Sequence, residues 1–198
     1  MSNALTLEKH AKSRIIRFNR PEIRSPLSVF VLEQLNGILD EMFADSRIET
    51  IIFTGAGDVF ASGADLREIA GVTKETARAF ALLGQNLMNK IAYANQTTIA
   101  AVNGFCFGGA LDLALACDKR IASPNAQFSH PGVGLGIITG WGGTQRLPRL
   151  VGEAAALEIF LTAKRVNANE ALRIGLIDEI TENPLEFSIA NYRAQLSS

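Results

Sequence analysis

Glycine placed at the ends of apolar runs is the feature that most limits what this chain can become. Most of its 17 glycines fall in clusters: Gly55 and Gly57, Gly63, Gly104 with Gly108 and Gly109, Gly132 to Gly136, and Gly140 with Gly142 and Gly143. Glycine at such places permits a positive φ, or lets another group approach the backbone closely. It also cuts a chain into short elements. The runs between the clusters alternate in type. Residues 13–18 (SRIIRF), 50–54 (TIIFT), 97–102 (TTIAAV), 119–122 (KRIA) and 176–180 (LIDEI) read as strands. Helical stripes fill 27–43, with Ser28 as N-cap, and 73–92, with Thr73 and Thr76 at its start. Further helices are predicted after the glycine pair as far as Cys117, and over 142–151, 153–161, 167–173 and 184–196. Strands separated by helices imply βαβ crossovers and a sheet covered on both sides. The expectation is one α/β domain over residues 1–198.

Composition narrows the function. With 47% hydrophobic residues the chain can bury a core, which excludes disorder as its main state. Nineteen basic residues against 20 acidic ones give a net charge of −1, so no large basic surface for nucleic acid is expected. No apolar run reaches the length that spans a bilayer, and the first residues lack the apolar stretch of a signal peptide. Two cysteines, Cys106 and Cys117, make neither a disulfide framework nor a four-cysteine zinc site. A cytoplasmic protein without membrane contact is therefore expected. There is no G-x-x-x-x-G-K-[ST], no H-E-x-x-H and no G-x-S-x-G, and His10 and His130 are the only histidines. No metal site is expected.

Two strand-to-helix junctions carry the chemistry that remains. They are FASGADL (60–66) and NGFCFGGALD (103–112). Both put small residues after an apolar strand, and the second opens a helix near Gly108–Gly109. The first N–H groups of a helix lack internal partners, and its dipole favours negative charge there. Two such junctions facing one another would supply two donors to one oxygen. Spacing alone does not show that they face each other, and leaves open two ordinary βα loops. Asp112, three residues beyond Gly109, has two readings as well: a proton-transfer group, or a carboxylate held by the helix dipole.

Five stretches, in order, resemble the crotonase superfamily, the enoyl-CoA hydratase/isomerase family. They are NRPEIRSPLS (19–28), FASGADL (60–66), AAVNGFCFGGALDLALACDKRIAS (100–123), GLGIITGWGGTQRLPRLVG (134–152) and LTAKRVNANEALRIGLID (161–178). The resemblance implies a crotonase-like α/β spiral of ββα turns with two roughly perpendicular sheets. It implies homotrimers, often paired into hexamers, and an acyl-CoA thioester as substrate, with no cofactor beyond the coenzyme A that the substrate carries. The backbone N–H groups of Ala64 and Gly109 would hold the thioester oxygen of an enolate. Ala64, Asp65, Leu66 and Arg67 would meet the coenzyme A, with Arg24 a second candidate for phosphate.

The chain also departs from the family. Hydratases that it resembles use two glutamates. Here Asp112 stands at the first position and Gly132, in His130-Pro131-Gly132, at the second. Glycine cannot transfer a proton, and a positioned acid or base is worth about 10²–10⁴-fold. Asp112 is then the catalytic group, with His130 the candidate substitute, and a glutamate at 132 should restore a second acid, provided the loop accepts a side chain there. A longer helical C-terminal segment is also expected; residues 161–198 read as a shortened version of it. Association is expected to use the 141–151 region. Three readings follow: a hydratase or isomerase; another enolate reaction on acyl-CoA, decarboxylation or thioester hydrolysis; or a non-catalytic acyl-CoA-binding or assembly subunit.

Overall fold

The computed structural model describes residues 3–192. The chain begins with two strands, Leu5–His10 (β1) and Ser13–Phe18 (β2), then Pro26–Leu27 (β3) and the helix Val29–Ala44 (α1). Next come Thr50–Thr54 (β4), Val59–Ala61 (β5), Gly63–Ala64 (β6), and the helices Leu66–Ala70 (α2) and Lys74–Ala92 (α3). Thr97–Val102 (β7), Phe105–Phe107 (β8) and Gly109–Ala116 (α4) repeat that order. Lys119–Ala122 (β9) and Gln127–Ser129 (β10) lead to Gly143–Val151 (α5) and Glu153–Thr162 (α6). The chain closes with Val166–Asn167 (β11), Ala168–Arg173 (α7), Glu179–Ile180 (β12) and Pro184–Asn191 (α8).

Each repeat gives its first strand to one sheet and its second to another. The larger sheet runs β1-β2-β4-β7-β9-β12, and the smaller runs β11-β10-β8-β5. Neighbours from β2 to β12 are parallel, as are β5, β8 and β10. Such repeats of strand, strand and helix are the ββα turns that the resemblance implies. The interior strands are rich in β-branched and apolar residues. β4 is buried at all five positions, as a strand covered on both faces must be.

The core lies between the sheets and helices. Phe18 meets Phe60 edge to face at 5.4 Å, and α1 adds Leu32, Leu35 and Leu39, all fully buried. A smaller cluster of Ile15, Ile52, Ile99 and Ile121 occupies the other face of the large sheet. Leu185, Phe187 and Ile189 of α8 cover it. Among the described residues no helix is long and apolar enough to cross a membrane.

Several elements depart from the sequence reading. β1 pairs with β2 across a hairpin, yet most of it is exposed, so it lacks the burial pattern that marks a strand. β5, β8 and β10 have three residues each, too few to show a period. The strand predicted over 176–180 shrinks to Glu179–Ile180. The helix predicted over 184–196 is seen as Pro184–Asn191, and residues 193–196 lie outside the described residues. The C-terminal part is also not simply helical. β11 and β12 within it pair with β10 and β9, and so extend both sheets.

Asn103 sets the spacing between the first two repeats. Its Oδ1 accepts from the Gly55 N–H at 2.9 Å, and its Nδ2 donates to the carbonyls of Gly57 at 2.9 Å and Val59 at 3.2 Å. Asn103→Ala should cost about 1–3 kcal/mol, because it leaves the partly buried Gly55 N–H and Val59 carbonyl short of a partner. Urea unfolding checks this through the transition midpoint.

Candidate active site

The two glycine junctions do face each other. Gly63 in β6 has φ +89°, and a Cβ built on it would lie 2.6 Å from the Phe107 carbonyl oxygen and 2.7 Å from the Gly109 nitrogen. Only a residue without a side chain lets the two backbones approach so closely. Gly108 caps α4 and donates its N–H to the Ser129 carbonyl at 2.9 Å, which ties the helix start to β10. The bond from the Asp112 N–H to the Gly108 carbonyl, 3.1 Å, closes the first turn of α4. The N–H of Gly109 precedes it and is one of the donors a helix cannot satisfy internally.

Ala64 and Gly109 line one cavity of about 350 Å³. Its walls are mostly apolar, with Leu66, Ile69, Phe80, Leu135, Ile138 and Trp141 prominent. Four polar side chains interrupt them: Ser62, Asp112, His130 and Thr139. An apolar cleft with a few converging polar groups is the usual form of a small-molecule site.

Asp112 is fully buried in the first turn of α4. Its Oδ2 accepts a hydrogen bond from the Thr139 hydroxyl. Its Oδ1 has no hydrogen-bond partner and stands 3.6 Å from His130 Nε2, beyond bonding distance. Both ring nitrogens of His130 are likewise unpartnered, and the ring packs against Phe160 at 5.1 Å. Burial pushes the Asp112 carboxyl up to about 7, against the opposing pull of the Thr139 hydrogen bond. Burial pushes His130 down to about 4. Near neutrality the histidine is uncharged and the carboxyl is poised between its two forms. Gly143, the first residue of α5, lies so close to Asp112 Oδ1 that any side chain there would overlap the carboxylate.

Gly132 lines the cavity within a 3₁₀ turn that His130 begins. Its carbonyl accepts the Ile137 N–H at 3.0 Å, and a Cβ on it would lie 2.6 Å from the Ile137 carbonyl oxygen. The loop as folded therefore has no room for a glutamate at 132. The condition on which a glutamate at 132 would restore a second acid, a loop that accepts a side chain there, is therefore not met.

The residues predicted to meet the coenzyme are only partly gathered. Ala64 and Leu66 line the cavity, whereas Asp65, Arg67 and Arg24 are not in its wall. Asp65 caps α2 by accepting the Arg67 N–H at 2.9 Å, and the Arg67 guanidinium grips the same carboxylate at 2.6 Å. That ion pair holds the Asp65 carboxyl below its ordinary range. The Arg67 side chain is nevertheless 82% exposed. Arg24 adopts φ +61° and lies over the Phe105 ring at 5.4 Å. Trp141, expected to serve association, is instead 3% exposed and belongs to the cavity wall. Thr139 and Gly143 were not legible as site residues, since neither has a spacing that points to Asp112.

The sequence profile described as enoyl-CoA hydratase/isomerase matches residues 8–189. A short-chain-enoyl-CoA hydratase of Clostridium acetobutylicum is 41% identical over 181 residues, which are 91% of this chain and 69% of that protein. A crotonyl-CoA hydratase of Syntrophomonas wolfei is 42% identical, over 90% of this chain and 69% of that protein. The crystal structure of an enoyl-CoA hydratase from Bacillus anthracis superposes with a TM-score of 0.86 at 36% identity, covering 90% of this chain and 70% of that one.

The Asp112–His130 pair predicts two opposite pH slopes. Asp112 binds its proton more tightly folded (about 7) than unfolded (3.8), so its contribution to stability falls as pH rises from about 4 to 7. Asp112→Asn should therefore gain stability relative to wild type across that window. His130 binds its proton less tightly folded (about 4) than unfolded (6.5), so its contribution falls as pH drops between those values. His130→Gln should gain relative to wild type as pH is lowered. Denaturant unfolding at pH 4.5, 5.5 and 7 reads both slopes.

Proposed function

The chain belongs to the enoyl-CoA hydratase/isomerase family, and from that membership we propose that Asp112 is its proton-transfer group. The activity is of the enoyl-CoA hydratase type, acting on an acyl-CoA thioester. One observation carries the assignment to Asp112. It is a buried carboxyl with one oxygen anchored by Thr139 and the other unpartnered, in the wall of the cavity that Ala64 and Gly109 share.

In the proposed reaction the thioester oxygen accepts from the N–H groups of Ala64 and Gly109. A water enters from the cavity beside Asp112 Oδ1 and the neighbouring His130 Nε2, which stand 3.6 Å apart. As its oxygen bonds to the β-carbon, the water gives a proton to Asp112, and the double-bond electrons move onto the thioester oxygen. The two backbone donors stabilise that charge, an effect worth roughly 10²–10³-fold per donor. The enolate then collapses, and its α-carbon takes the proton back from Asp112. Overall, one water adds across the double bond. A carboxyl near 7 can accept and return a proton at neutral pH, as one group doing both jobs must. His130 stays neutral and positions the water.

The remaining assignments are part of the same proposal. Arg67, with Asp65 and Leu66 beside it, meets the coenzyme, and Arg24 its phosphates. No cofactor is used beyond the coenzyme A of the substrate. The buried, unbridged Cys106 and Cys117 fit a reducing, cytoplasmic setting. Assembly into trimers or hexamers would cover exposed side chains such as Ile138, Leu157 and Leu161, each more than half exposed. Gly132 favours a second reading, an enolate reaction that needs one proton-transfer group: decarboxylation or thioester hydrolysis.

Asp112→Asn keeps the shape and removes the titrating group. It should lower crotonyl-CoA hydration by about 10²-fold or more, followed by loss of enoyl-thioester absorbance, while thioester binding persists. Unchanged turnover would return Asp112 to the helix-dipole role. A wild type that binds enoyl-CoA without hydrating it would favour the second reading. On assembly, light scattering should give a multiple of the 21.3 kDa chain mass at micromolar concentration, and a monomer mass rejects it.

A further inference from the structure

Glycine weakens the interior of a helix, so a buried one there usually makes room for a neighbour. Gly84 sits near the middle of α3 and is buried. The neighbour is Trp141. A side chain on Gly84 would overlap the indole at Cγ, Cδ1 and Nε1. A side chain on Gly109 would overlap the same indole on its other ring, at Cε3 and Cζ3. The indole is thus wedged between α3 and the start of α4, one ring against each glycine. Phe80 packs beside it at 5.8 Å. The backbone on either side is tied down. Gln85 Nε2 donates to the Gly140 carbonyl at 2.8 Å, and Arg146, held by Asn89 Oδ1 at 2.7 Å, donates to the Trp141 carbonyl at 3.4 Å.

We propose that Trp141 is the end wall of the acyl pocket and restricts the substrate to short acyl chains. This rests on the acyl-CoA reading above. A thioester held at Gly109 has its carbonyl beside the indole, since the indole lies on the Gly109 α-carbon. The acyl chain beyond that carbonyl meets the indole where a longer chain would need the gap between α3 and α4. The cavity agrees in size. It is a half-open cleft whose 350 Å³ must also take the thioester, near the small end of ligand pockets, roughly 300–1,000 Å³. Without the indole, the cavity would continue between the two helices.

Trp141 is the single tryptophan of the chain, so all indole emission reports on this wall. Wild type is titrated with coenzyme A and with butyryl-CoA, which has no double bond to hydrate, and calorimetry measures binding in parallel. Butyryl-CoA should shift or quench the emission, and coenzyme A at saturation should not. In Trp141→Ala and Trp141→Leu, kcat/KM for trans-2-decenoyl-CoA relative to crotonyl-CoA should rise roughly tenfold or more over wild type. The leucine variant keeps apolar packing and carries this test if the alanine variant fails to fold. Emission indifferent to calorimetrically bound butyryl-CoA, or an unmoved chain-length ratio in a folded variant, overturns the proposal and leaves the acyl-CoA reading standing. If calorimetry finds no thioester binding at all, that reading falls and the role of Trp141 falls with it.

Discussion

The contact of Gly63 with the start of α4 is the constraint on which the site depends. Two polypeptide backbones meet there at a distance that no Cβ permits. One strand belongs to the first repeat and the helix to the second, so the contact fixes one ββα turn against the next. It brings Ala64 and Gly109 to one cavity. It also sets where the first turn of α4 points, and with it Asp112. The Asn103 side chain, bonded to backbone groups of the first repeat, maintains the same spacing from the large sheet.

The buried carboxyl of Asp112 is the electrostatic consequence. Leaving water disfavours its charge, while the Thr139 hydroxyl, the nearby backbone N–H groups of Trp141 and Gly143 and the charge of Arg146 favour it. Burial wins, but only far enough to leave the group near neutrality. A fully solvated carboxyl would hold its charge and return a proton poorly. One buried without such partners would hold its proton and accept poorly. The Thr139 contact from a glycine-rich loop therefore bears on the chemistry through the carboxyl it holds. The same loop brings Gly143 against Asp112 Oδ1, so the backbone of α5 closes that side of the carboxylate.

Much of the fold was legible because its central strands and long helices carry strong periodicity. The helix over 27–43 and its Ser28 cap correspond to α1, where the Ser28 hydroxyl accepts the Val31 N–H at 3.3 Å. Thr73 and Thr76 likewise begin α3, the Thr73 N–H donating to the Thr76 hydroxyl at 2.9 Å. The short strands were not legible. FCF and QFS are strands because each finds a parallel neighbour in an adjacent repeat, and no local pattern records that pairing. β1 was hidden for a similar reason, since only its partner β2 makes it a strand.

By itself the sequence determined the alternation of elements, the places where only glycine fits, and the residues able to give backbone donors or move a proton. Those properties are local: side-chain volume, β-branching, capping chemistry and titratable groups act within a few residues. The tertiary structure decided which of them meet. It joined two junctions some 45 residues apart into one cavity, gave Asp112 its partner Thr139 and its near neighbour His130, and removed the space for a side chain at Gly132. It also turned Trp141 inward between two helices. Burial and approach are properties of packing between distant segments, and the chain acquires them only when its repeats stack.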